Sequence, residues 1–376
     1  MPPYSVDDVT CLEIDLDLEH WWRENRASEG KPFSTDKPRV PCHIPLDDHW
    51  LIEEMRVEST VKLFSDPAYR MAMHKACNDR CEPALGIRPF GERPGGPGPR
   101  RIEEVFGCRI VLTEGATPWL EPGVSSIDEL VALMDRVERT PIRDLMMTPE
   151  WEQGLSGTVF RDPAEPPRTR RGGSRGAATV ATSVCGTEEA LWYCIDHPSV
   201  MLRFFDLFAA KLIEYHRTID GLTGSVTRGY GWADDHCALF SPAMYERFCF
   251  PAMKGVMDEF APEPTDHRFQ HSDGACTHLL PLLNELGYHG VNLGPTVHPL
   301  DIRRHMPATV IFGQVPPLVL RNGTPEEIVA AVRRDIDTVG GDGGLVLQTA
   351  GSIAAGTSLE NIRVYMWAVQ EYGRYG

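Results

Sequence analysis

Imidazole and carboxylate side chains set two residues apart can ligate a divalent metal or move a proton, and the chain carries such a pair at His271 and Asp273. A second knot of the same chemistry lies upstream at Asp234, Asp235 and His236, directly after the aromatic Trp232. Three polar side chains of this kind supply the nitrogen and oxygen donors of a metal site that keeps a position open for water or substrate. Without a metal, an Asp and His pair performs general acid or base chemistry. The candidate catalytic residues are therefore His271, Asp273 and Asp235, and the candidate metal ligands are His271, Asp273 and His236.

The segment 267–299, HRFQHSDGACTHLLPLLNELGYHGVNLGPTVHP, holds the first pair. Residues 268–270 read as a strand that ends in the polar knot. Leu279, Leu280, Leu282, Leu283 and Leu286 give the following helix an apolar face, Gly287 ends it, and a second strand covers 290–293. This is a β-α-β unit, in which strand ends collect reactive side chains on one rim. A competing reading makes Asp273 only the N-cap of that helix and His271 a hydrogen-bonded turn residue.

The same grammar recurs. Strands are predicted at 39–44, 108–112, 178–184, 225–231, 268–270, 290–293, 310–313 and 344–347, with helices between most of them. Ser126 with Glu129, Thr324 with Glu327 and Thr357 with Glu360 have the spacing of capping boxes. Eight alternating units predict an α/β fold, a closed (β/α)8 TIM barrel, and no GxGxxG follows an early strand to favour a dinucleotide fold. Residues 1–38 form an N-terminal helical extension and 39–376 a single barrel domain, with loop insertions at 91–101 and 161–176. In a barrel, residues just past the strand ends face one mouth. That adds His43, Asp47, Trp119, Trp232 and Asp234 to the reactive group, together with Asn292, His298, Gln314 and Gln348. Apart from Asp47, these are the candidate substrate-binding residues, suited to a small molecule.

A chain of 376 residues with 42% hydrophobic content has the composition of a globular protein. Its net charge of -17 argues against nucleic acid as the main partner, because neutralising phosphates requires gathered Lys and Arg. Ten cysteines are scattered without a CxxC pair and no signal-like segment opens the chain, which predicts reduced thiols in a cytoplasmic protein. No apolar run is long enough for a membrane span. Cys77 and Cys81 stand at helical spacing, where packing is the commoner use and metal binding the alternative. The most basic stretch, RDPAEPPRTRRGGSRG at 161–176, reads either as a solvated connector or as a lid whose guanidinium groups close on an anion.

Several of these stretches resemble the uroporphyrinogen decarboxylase superfamily, which also contains corrinoid-dependent and coenzyme M methyltransferases. The matching segments are GYGWADDHCALFSPAMYERFCFPAMK, HSDG at the position of the methyltransferases' His-x-Cys-Gly, VIFGQVPPLVLRNGTPEEI and GGLVLQTAGSIAAGTSLENI. RVPCHIPLDDHW resembles the first strand of the methyltransferase-like branch, so the likeness spans roughly 39–376 in the right order. It implies a barrel enzyme that moves a methyl group from a small methylated donor to a corrinoid protein, a folate or a thiol, with zinc or another divalent metal at the site. A corrinoid-protein partner and a homodimer are compatible with it. The departures are specific. His271 matches the family's His, but its zinc-binding Cys is Asp273 here and the later Cys falls at or beside Gly351, so both soft ligands are missing. The decarboxylases' arginine-rich amino-terminal segment is absent too. Two alternatives follow: a lyase acting on a carboxylated aromatic or pyrrolic substrate, with Asp235 stabilising developing positive charge, and a catalytically silent subunit that binds a ligand or a corrinoid protein.

Overall fold

The computed structural model describes residues 14–93, 96, 98–156 and 168–376. They divide into two compact units, one drawn from Met1–Pro94, Thr113–Thr117 and Gly290–Gly376 and the other from Gly95–Leu112 and Pro118–His289. The fold is α/β, and its six parallel strands fall three in each unit.

In the first unit, helix α1 (Leu18–Ser28) is capped by Asp17, whose carboxylate accepts from the His20 amide. Trp21 is completely buried on it and donates its indole N–H to the Met366 carbonyl at 2.9 Å. Asn25 clamps the following segment, accepting from Cys42 N at 2.8 Å and donating to Cys42 O at 3.0 Å. Residues 39–44 are extended but do not form the predicted strand. They bridge Leu347 in parallel through single bonds, with His43 N donating to Leu347 O and Leu347 N to Pro41 O. Two prolines, Pro41 and Pro45, remove the amides that a continuous ladder would need.

The second unit begins with a departure from the predicted barrel. Residues 109–111 form β1 (Arg109–Val111), which pairs antiparallel with β2 (Trp119–Glu121), so this segment is half of an antiparallel pair and Trp119 lies on a strand, half exposed. Strand β3 (Arg168–Arg175) falls inside the arginine-rich segment expected to be a loop, as connector or lid, of which residues 161–167 lie outside the described residues. The predicted strand at 178–184 is instead helix α2 (Ala177–Cys185). Nearly every side chain of α2 is buried, so no polar face marks its period, and a short apolar run of this kind reads equally as strand or helix.

Helices α3 (Thr187–Asp196) and α4 (Pro198–Thr223) lead to β4 (Ser225–Ala233), and α5 (Phe250–Phe260) leads to β5 (Arg268–Ser272). Strands β3, β4 and β5 pair in parallel, Ser174 opposite Trp232 and Trp232 opposite Gln270. Gly172 is obligatory in that packing, because a Cβ there would lie 2.5 Å from the Tyr230 ring.

The rest of the first unit is β6 (Gly290–Leu293), β7 (Val310–Phe312), α6 (Pro325–Asp335), β8 (Leu345–Val346) and α7 (Leu359–Tyr372). Its strands pair in parallel through Gly290 with Val310 and Ile311 with Leu345. The capping box of α6 forms as expected, Thr324 accepting from Glu327 N. The last helix is capped one residue later than expected, by Ser358 rather than Thr357. No helix among the described residues is long and apolar enough to cross a membrane.

Candidate active site

Strand β5 runs two residues further than its sequence suggests, so His271 is on the strand rather than past it. Parallel pairing sets Ala233 of β4 opposite His271, which brings the acidic residues following β4 to the same end of the sheet. Here His271 Nε2 lies 3.7 Å from Asp235 Oδ1 and 3.6 Å from Asp273 Oδ1. Both gaps exceed a direct hydrogen bond. Asp235, His271 and Asp273 each offer one donor atom, and the three lie within 4.8 Å of one another. Asp273 does not act as a helix N-cap, because the next helical turn starts at Thr277. Its amide instead donates to Asp235 Oδ1 at 3.0 Å, which locks the two acids together. Arg175, at the end of β3, donates to Asp235 Oδ2 at 2.9 Å and leaves Oδ1 toward the imidazole.

Beneath this group Asp234 is fully buried. Its Oδ1 accepts from both the amide and the hydroxyl of Thr179, each at 2.8 Å, at the start of α2. Its Oδ2 meets no donor among the described residues. Burial pushes its pKa up to about 6, against the two Thr179 bonds and with the neighbouring Asp235 charge. Gly176 leaves the room it needs, since a Cβ there would sit 2.2 Å from the Asp234 carboxyl carbon. Asp234 is therefore an anchor between β4 and α2, and it fixes where Asp235 emerges. His236 turns to the same helix, its Nδ1 2.6 Å from the Thr182 hydroxyl, and stands outside the three-residue group; Asp235 takes the place expected for it.

The donor set suits a divalent cation of the hard or borderline kind. One imidazole nitrogen and two carboxylate oxygens lie within 4.8 Å of one another, and the two gaps to the imidazole are a few tenths of an ångström wider than those between adjacent ligands of a bound zinc. No thiolate joins them among the described residues. Cys237 and Cys276 hydrogen-bond to each other, with the Cys237 sulfur 3.5 Å from the Ser272 hydroxyl, and both are fully buried. Desolvation adds to that bond in holding the Cys237 thiol well above its usual range.

The remaining predicted residues divide by unit. In the second, Trp232 is buried against Tyr230, with ring centroids 4.6 Å apart, and Trp119 borders a groove of about 650 Å³ with Arg109, Glu121, Glu129 and Glu189 that does not include the His271 group. In the first, Asn292 is buried and binds backbone, donating to Phe312 O and Thr349 O and accepting from Gly351 N at 3.2 Å. Gln314 donates to Gly294 O and Val297 O. His298 caps the helix Pro299–His305 by accepting from Leu300 N, and Asp47 caps Asp48–Met55 in the same way. His43 hydrogen-bonds Gln348, and burial lowers its pKa. Arg175, Gly176 and Thr179 were not anticipated; the arginine cluster at 168–175 was the available signal, and its loop-like composition hid the strand.

The fold is α/β with a carboxylate–imidazole group at the end of its strands, and the profile of the uroporphyrinogen decarboxylase (URO-D) family matches residues 101–372. The chain belongs to that family. Among solved structures, a methyltransferase from Methanosarcina mazei is similar over 95% of this chain and 99% of its own, with a TM-score of 0.58 and 17% identity, so the two share a fold. A B12-independent methionine synthase from Shewanella sp. W3-18-1, solved in complex with selenomethionine, aligns over 79% of this chain and 85% of its own at 10% identity and a TM-score of 0.38. A comparison with curated proteins found no match.

Proposed function

We propose that the chain is a methyltransferase of this family, built as a (β/α)8 barrel, that moves a methyl group from a small methylated donor to a corrinoid protein, a folate or a thiol. The observation that carries this reading is the convergence of Asp235, His271 and Asp273 across gaps of 3.6 and 3.7 Å at the ends of β4 and β5. Three acid–base groups that converge at one strand end can act together on a heteroatom placed beside them. In the transfer, the acceptor's lone pair forms a bond to the methyl carbon while the donor's carbon–oxygen or carbon–nitrogen bond breaks and its electron pair leaves with the heteroatom. That heteroatom must be neutralised, and a protonated His271 donates to it through Nε2 while Asp235 and Asp273 stabilise the imidazolium. Zinc or another divalent cation, when bound by the same three side chains, supplies Lewis-acid activation of that heteroatom. Asp234 positions Asp235, and Arg175 holds it in register.

A lyase reading is favoured by one feature, the Arg175 guanidinium beside Asp235, which suits a carboxylated substrate. The test is to incubate the full chain with O-methyl and N-methyl donors and with cobalamin, tetrahydrofolate or a thiol, and to follow methylated product by mass spectrometry. Methyl transfer lost in His271→Ala supports the proposal. Release of carbon dioxide from carboxylated donors without methyl transfer overturns it in favour of the lyase.

A further inference from the structure

Two side chains of opposite charge in the second unit line the same cavity without pairing. The cavity, of about 240 Å³, opens where the short helix Ile102–Val105 meets the ends of β3 and β4 and the middle of α4. Arg101, Glu103, Ser174, Arg175, Leu212 and Tyr215 line it, and it has room for one small organic molecule. Asp235, His271 and Asp273 do not line it, although Arg175 reaches both places.

Glu103 is only 4% exposed, yet its carboxylate has no hydrogen bond or ion pair among the described residues. Taking a carboxylate out of water is costly unless a donor or a positive charge meets it. Arg101 stands two residues away on the same cavity and does not meet it. Its guanidinium, too, forms no ion pair among the described residues. Both charges are near enough to act on the Tyr215 phenol: burial and then Glu103 push its pKa up to about 12, while Arg170 and Arg101 pull against them. The phenol donates to the Arg100 carbonyl at 3.0 Å, which ties the segment carrying both charges to α4. The Ser174 hydroxyl is a second buried polar group without a partner among the described residues. Arg175 engages Asp235 through one nitrogen, and its guanidinium carries further N–H donors.

We propose that this cavity binds a small zwitterion, its ammonium group on Glu103 and its carboxylate on the Arg101 guanidinium, with Leu212 against its carbon frame. The ligand class is an α-amino acid or an amino-carboxylic acid of similar size. A cation alone would face two arginines, and an anion alone would face a buried carboxylate. A molecule bearing both signs satisfies both walls, and the guanidinium fork matches its carboxylate. The site goes beyond the proposed methyl transfer and does not depend on it, because Arg101 and Glu103 lie outside the Asp235, His271 and Asp273 group.

The test is calorimetry on the full chain, treated with a chelator so that metal plays no part, with L-alanine, acetate and methylammonium as probes. Alanine should bind at one site per chain and at least about tenfold tighter than either half-molecule. Arg101→Gln and Glu103→Gln should each weaken alanine at least about tenfold, with unfolding midpoints near that of the wild type showing that the variants fold. Arg101 is exposed, so its variant decides the outcome where Glu103→Gln does not fold. His271→Ala should bind alanine as the wild type does, which separates this cavity from the Asp235 group. Four results overturn the proposal: no binding of alanine, acetate or methylammonium binding within about tenfold of it, a loss smaller than about tenfold in a folded variant, or loss of binding in His271→Ala.

Discussion

Polar side chains at the strand ends of the two units are put to opposite uses. In the unit containing β6, β7 and β8, Asn292 and Gln314 are buried and their amides bind backbone: Asn292 joins Phe312, Thr349 and Gly351, and Gln314 holds Gly294 and Val297. In the unit containing β3, β4 and β5, the Asp235 and Asp273 carboxylates lie 3.7 and 3.6 Å from His271 Nε2, the Asp273 amide donates to Asp235, and all three residues are at least partly exposed. A buried amide must satisfy its donors and acceptors, so it knits loops together. Acids and an imidazole converging at one exposed strand end have the capacity to bind a third party. The bonding partners of each side chain mark its use.

The contrast is sharpest in its consequences for substitution. His271→Ala should lower turnover by about 10²- to 10⁴-fold, the usual contribution of a positioned acid or base, with little change in the unfolding midpoint. Steady-state kinetics beside thermal melting check this, and a fall of less than about fivefold would dissolve the distinction from the catalytic side. Asn292→Ala should do the reverse. It leaves the Gly351 amide and the Phe312 and Thr349 carbonyls without this partner, at a cost of about 3 kcal/mol in denaturant unfolding, while zinc affinity at His271 stays as in the wild type.

Asp234 gives a pH-dependent version of the same comparison. Its folded pKa of about 6 lies above that of an exposed aspartate, so its contribution to stability is fully present below about pH 3.9 and is lost as pH rises through 6. Asp234→Asn should remove that dependence. Relative to wild type, the variant should gain about 2 to 3 kcal/mol in unfolding free energy between pH 4 and pH 7, an order-of-magnitude figure. A parallel pair of stability curves would mean that folding does not raise the Asp234 pKa. The smallest effect is expected at His298→Ala, where loss of a helix cap costs about 1 kcal/mol or less and turnover is unchanged.

Much of this was legible in the chain, and the gaps have physical causes. Strands β4 and β5 announce themselves as runs that end in acids and imidazoles, which is why Asp235, His271 and Asp273 could be named together. His236 was grouped with them by adjacency, but the 3₁₀ turn that follows β4 directs its ring to Thr182. The extent of β3 was hidden because it is built largely of arginine and glycine, the composition of a loop. Helix α2 was hidden for the opposite reason, since burial on all sides erases the polar stripe that distinguishes 3.6-residue from two-residue periodicity. The early strands misled because Arg109–Val111 has strand propensity but pairs antiparallel with Trp119–Glu121, information that lies in the partner. Thr179, which holds Asp234, carries no signal that a sequence reader could use.

The most direct measurement is a zinc titration of the full chain followed by calorimetry, wild type beside His271→Ala. The account predicts one zinc per wild-type chain and an affinity at least about 100-fold weaker in the variant, as expected when one of three side-chain ligands is removed. Equal zinc affinity in the two proteins, or none in the wild type together with unimpaired turnover in the variant, would contradict it.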